Sequence, residues 1–220
     1  MSNEYGNGGW AMDDYNGNNE TEIKKVKLPG CPTEFSTLYK AEIAVLVSLA
    51  LTFLSVLFEA PLFMTVSFLA LLAASIVFLV FVMKLNHYSN DFRMAGICYL
   101  VYFILYFFHN NFVGFLRILI EAAYFIFLMI YIVKFSNACT ELLKNKDKKL
   151  AESWDVYKTV VLFTYALAII CDVLIYVPVL NVIASAVLTC IFIARLGFVI
   201  WHIMLLKQTD AAIRLSNSAA

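Results

Sequence analysis

The stretch Ala41–Met83 reads AEIAVLVSLALTFLSVLFEAPLFMTVSFLALLAASIVFLVFVM. Its 43 residues are too many for one membrane crossing. A helix needs roughly 17–25 apolar residues to traverse a hydrocarbon core of ~30 Å. With a rise of about 1.5 Å per residue, this block covers nearly two bilayer thicknesses. Near its middle stands Glu59-Ala60-Pro61, and Pro is a residue that reverses a chain.

The same arrangement recurs twice. Met94–Lys134 spans 41 residues around His109-Asn110-Asn111, with Gly114 just beyond. Lys158–Leu206 spans 49 residues around Pro178 and Asn181. The pattern predicts an all-α, polytopic integral membrane protein with six transmembrane helices arranged as three helical hairpins. The spans fall at about 41–59, 62–83, 94–109, 112–134, 158–177 and 180–206. The third is the shortest. Fifteen residues separate Arg93 from His109, about 22 Å of helix, so it is expected to cross a thinned bilayer or to span incompletely.

Composition agrees. Of the 220 residues, 62% are hydrophobic and 15% charged, with a mean hydropathy of +0.81. Soluble domains sit near about 45–50% apolar and about 25% charged. An ordinary soluble enzyme, a disordered chain and a free nucleic-acid binder are therefore excluded. Sixteen Lys and Arg balance sixteen Asp and Glu, so no charge excess points to nucleic acid.

Lys and Arg placement sets the orientation, because cytoplasmic loops collect these residues. Fourteen of the sixteen lie before span one, between spans two and three, between spans four and five, or after span six. The three remaining turns carry none. Both termini are expected in the cytoplasm, most simply of a cell (plasma) membrane protein.

Residues 1–33 are polar and rich in Asn and Gly. They are expected to form a disordered cytoplasmic tail, and they lack the apolar region of a cleavable signal peptide. Residues 34–206 form the membrane domain, and 207–220 a cytoplasmic C-terminal tail. The Asn19-Glu20-Thr21 sequon would stay unmodified on the cytoplasmic side. Five cysteines without a Cys-x-x-Cys pair, two of them facing a reducing compartment, imply packing residues and not a disulfide framework.

The longest cytoplasmic connection, Phe135–Tyr157, has helical periodicity on both sides of Lys144-Asn145-Lys146-Asp147-Lys148-Lys149. It is expected to be a helix, a turn and a second helix, with Trp154 as an interfacial anchor. Lys144, Lys146, Lys148 and Lys149 are first a topology signal. They are also candidate contacts for anionic lipid or an acidic partner, worth about 1 kcal/mol per Lys near a charged surface.

Polar stripes mark the inside of a membrane bundle. Ser48, Thr52, Ser55 and Glu59 share one face of span one, and Tyr99, Tyr102, Tyr106 and His109 one face of span three. Span four aligns Arg117, Glu121, Tyr124 and Tyr131, span five Tyr165, Ala168, Asp172 and Tyr176, and span six Asn181, Ser185, Arg195 and His202. Span two has scattered hydroxyls and is the candidate lipid-facing helix. A charge at a helix centre costs ~2.5–3.5 kcal/mol on insertion scales. Arg117, Glu121, Asp172 and Arg195 are therefore expected to form an intramembrane polar network. Matched depth suggests Arg117–Asp172, with Glu121 or a carbonyl serving Arg195. His109 is expected in a turn and His202 at an interface, too far apart for one metal site.

No His-Glu-x-x-His, Gly-x-Ser-x-Gly or P-loop occurs, so no enzyme, cofactor or metal is implied. The first functional expectation is a non-enzymatic membrane component that acts through protein or lipid contacts. Its partners would be the bilayer and a membrane protein or a second copy in a homo-oligomer. The alternative is a small-solute or ion transporter, or a channel-like protein, that uses the charged network.

Overall fold

A computed structural model describes residues 34–108, 112–175 and 177–218. The expectations for residues 1–33, the His109–Asn111 turn and Tyr176 lie outside the described residues. Six helices are present among them: α1 Glu34–Leu57, α2 Pro61–Lys84, α3 Asn90–Phe108, α4 Gly114–Leu143, α5 Lys148–Leu174 and α6 Asn181–Ser218. A 3-10 turn, Leu85–His87, follows α2, and no strand occurs among the described residues. All six helices are long and apolar enough to cross a membrane. In lipid no water satisfies the backbone, so an apolar chain of this length resolves into helices.

Helix boundaries correct several expectations. α3 begins at Asn90 and has 19 residues, about 28 Å of helix, so it starts four residues before the span expected at 94–109. Arg93, taken from the sequence as a loop residue, is part of the helix, as is Asp91. α6 continues to Ser218, so residues 207–218 are a helical extension and not a tail. Leu206, Thr209, Asp210 and Ile213 are buried along it. Their spacing of 3, 1 and 3 places them on one helix face.

The connections are tight. After α1, Glu59 adopts a left-handed conformation (φ 51°), and the Ala60 N–H donates to the Ser55 carbonyl at 2.9 Å. This six-to-one bond is the Schellman closure of a helix end. Pro61 then opens α2, where its missing N–H costs nothing. The connection from α4 to α5 has the expected helix–turn–helix form. Asp147 caps α5, its carboxylate accepting the Leu150 N–H at 3.0 Å. Asp147→Ala should lower stability by about 1 kcal/mol, read as a downward shift in thermal unfolding of the detergent-solubilised protein.

Each helix packs on its chain neighbours, and α6 also packs on α1, so the contacts close into a ring. Burial is uneven along it. The N-terminal parts of α1, α3 and α5 and the C-terminal parts of α2, α4 and α6 meet in one core. Its members include Phe35, Leu38, Phe78, Val82, Phe92, Phe135, Trp154, Tyr157, Leu205 and Leu206. We call this the closed end. Lys134–Asp91 at 3.0 Å and Lys158–Asp155 at 2.7 Å pair there.

At the opposite end Phe58, Leu62, Val113 and Val179 are exposed. Buried residues toward that end are mostly small: Ser48, Ser55, Ser67, Ala168, Cys171 and Ala184. Small residues let helix backbones approach closely. The hydroxyls of Ser55 and Ser67 bond back to the Leu51 and Phe63 carbonyls at 2.6 and 2.8 Å, so they are not left unsatisfied. α2, the candidate lipid-facing helix, leaves most of its surface exposed, while packing on α1 and α3 and burying Ser67, Leu71, Ala74, Ser75, Phe78 and Val82.

Candidate functional site

The shortest acid–base contact among the described residues involves a residue that sequence reasoning passed over. Glu42 lies in the third turn of α1, and His202 lies on α6. His202 Nδ1 sits 2.6 and 2.7 Å from the two carboxylate oxygens of Glu42. One hydrogen bridges Nδ1 and the carboxyl group, donated by the ring when the carboxyl is ionised and by the carboxyl when it is not. The side chains are 6% and 14% exposed, His202 and Glu42 respectively. His202 is therefore a buried partner of Glu42.

An aromatic cage surrounds the imidazole. Tyr157 stacks on it at 5.4 Å with an interplanar angle of 22°. Phe135 and Trp154 present edges, each at 5.4 Å. Trp154 is 0% exposed, and its Nε1 donates to Thr209 Oγ1 at 3.0 Å. It is a core residue of the closed end and not an interfacial anchor. Glu42 lies within electrostatic reach of Tyr99, Tyr131 and Tyr157.

From this pair a run of tyrosines leads toward the other end. Tyr131 meets Tyr99 at 5.3 Å between ring centroids, and Tyr99 meets Tyr102 at 5.9 Å. Tyr102 then meets Tyr106 at 6.1 Å and Tyr124 at 5.9 Å. The three-and-four spacing of Tyr99, Tyr102 and Tyr106 stacks them along one face of α3.

The run ends at a second charged group. Tyr124 lies within electrostatic reach of Arg195, Glu121 and Asp172, and Asp172 within reach of Glu121 and Arg195. Three of the four network residues named from the sequence thus occupy one neighbourhood, held by α4, α5 and α6. The predicted pairings differ from what is found. No ion pair among the described residues joins Arg117 to Asp172 or to Glu121, and Arg117 is exposed in the first turn of α4. The Arg195 guanidinium carbon lies over the rings of Phe125 and Tyr165, at 5.2 and 5.0 Å. Aromatic faces attract a cation and take the place of the carboxylate or carbonyl expected.

No protein-family model, curated protein or solved structure matches this chain.

Other candidates are plainer. Lys144, Lys146, Lys148 and Lys149 are exposed at the α4–α5 turn. Beside them a shallow groove of about 370 Å³ lies between the start of α5 and the end of α6, lined by residues that include Asp147, Lys149, Ser153 and Gln208. Cys98, Cys139, Cys171 and Cys190 are free thiols. No group of His, Cys, Asp and Glu suited to a metal is found among the described residues.

The signal that would have found the Glu42–His202 pair is depth. Glu42 is two residues past Lys40, and His202 five before Lys207. Both lysines mark the same face of the predicted topology, so acid and imidazole lie at comparable height.

Proposed function

We propose that the protein is an integral membrane protein of the cell membrane, with three helical hairpins, both termini in the cytoplasm and the closed end facing the cytoplasm. We further propose that it moves an ion or a small polar solute along its inner axis. The observation that carries this reading is the tyrosine run between two charged groups, Glu42–His202 at one end and Glu121, Asp172 and Arg195 at the other. Intramembrane ionisable residues are costly and mark solute or ion pathways by default. Phenol hydroxyls add donors and acceptors at intervals along the axis without adding charge. The tight core at one end and the sparse burial at the other fit an axis closed toward the cytoplasm and accessible from outside.

The test uses single cysteines at positions 121 and 124 in an otherwise cysteine-free full chain, in intact membranes, with a membrane-impermeant thiol reagent. Labelling from the outer side is expected. If neither position labels from either side, the transport reading fails.

A second reading draws on the exposed apolar residues near the turns, among them Phe58, Leu62, Val113 and Val179. It makes the protein a non-enzymatic component that works through contacts with lipid, a membrane protein or a second copy. Failure to label at 121 and 124 would favour it.

A further inference from the structure

We propose that Glu42 and His202 form a proton-binding site that locks α1 to α6 at the closed end. The site deepens the transport reading, on which it rests for its purpose, by naming the proton as the ligand of the inner charged group.

The argument begins with charge. The imidazole Nδ1 lies 2.6 and 2.7 Å from the two carboxylate oxygens, so the two groups share one proton. With that proton, and with Nε2 carrying the ring's other hydrogen, the pair is electrically neutral, whether the shared proton rests on the ring or on the carboxyl. Removing it leaves a carboxylate beside a neutral imidazole. Adding another leaves an imidazolium beside a neutral acid. Either leaves an uncompensated charge among Phe135, Trp154 and Tyr157, which a site of low polarity resists.

Among the described residues nothing nearby supplies a compensating charge. The titratable groups facing the pair from α3, α4 and α5 are the phenols Tyr99, Tyr131 and Tyr157. The single ionisable residue of α2, Lys84, is exposed over the Phe81 ring. On α4 and α5, Lys134 is paired with Asp91 and Lys158 with Asp155. On α1 Lys40 is exposed, and on α6 Asp210 is paired with Arg214. Proton exchange therefore calls for water, and water reaches the pair when α1 and α6 separate. That seam closes the ring of helices, and the tyrosine run begins beside it.

Trp154 is a built-in reporter, because its ring lies 5.4 Å from that of His202 and imidazolium quenches indole fluorescence. The full chain carrying Trp10→Phe and Trp201→Phe, in phospholipid nanodiscs, is titrated from about pH 5 to about pH 10. One transition is expected. Glu42→Gln should change the proton affinity it reports by at least about tenfold. His202→Gln should abolish it. The double variant Glu42→Gln with His202→Gln keeps a neutral hydrogen-bonded pair. It should fold and show no transition, which controls for unfolding of the single variants. Ala41→Cys in a cysteine-free background should become thiol-reactive above the same transition and stay protected in the double variant.

A transition that survives His202→Gln, one that Glu42→Gln does not move, or none in the parent overturns the proton site. Labelling at position 41 that stays flat while Trp154 titrates overturns the lock. These results are separable from the transport reading, which stands or falls on labelling at positions 121 and 124.

Discussion

Glu42→Ala is expected to destabilise the folded protein by about 3–5 kcal/mol, the range for removing one partner of a buried pair of ionisable groups. His202 keeps its place among Phe135, Trp154 and Tyr157, but the acceptor for its Nδ1 is gone. The contact between the first and last helices loses its hydrogen bonds as well. Thermal unfolding in detergent measures the effect. The informative contrast is a double replacement, Glu42→Met with His202→Phe. Exchanging a whole buried pair for apolar side chains of similar volume is often neutral or stabilising. The double variant should recover most of the stability that Glu42→Ala loses. If it is as unstable as the single variant, the pair is there to hold the fold, and the functional argument built on it weakens.

Trp154→Ala should cost about 3–5 kcal/mol, the usual range for truncating a large buried aromatic. Trp154 is the largest side chain wholly hidden in the core. Its ring packs on Phe135, Tyr157 and His202, so the cavity opens where α4, α5 and α6 converge. Removing the indole also orphans Thr209 Oγ1, which is 0% exposed. Trp154→Phe fills part of the space and loses the hydrogen bond, so it should fall between parent and Ala. An interfacial anchor would behave differently: both replacements would shift unfolding little and chiefly alter membrane seating.

The helices were legible because hydropathy is a one-dimensional property and a long apolar stretch satisfies its backbone within itself only as a helix. The turn at Glu59-Ala60-Pro61 and the helix–turn–helix across Lys144–Lys149 followed from local chemistry in the same way. Polar stripes were legible as well. Tyr99, Tyr102 and Tyr106 do line up, because helical spacing alone puts them on one face.

What failed was azimuth. Counting along a span estimates depth, and depth made Arg117–Asp172 attractive. Which way a helix face turns depends on its neighbours, and Arg117 turns outward while Arg195 turns onto Phe125 and Tyr165. The extension of α6 was hidden for a related reason. Its buried face carries Thr209 and Asp210, so hydropathy reads polar where the helix packs.

The amino-acid sequence by itself determined that this chain is helical, how many helices it has the apolar length to form, and where most of them turn, since each property is set by residues close together along the chain. Tertiary structure alone decided that Glu42 meets His202 across 160 positions, that Trp154 is hidden, and that the ring is packed at one end and loose at the other. Those outcomes depend on how six helices rotate against one another, and rotation is settled by packing between distant segments, which no local pattern encodes.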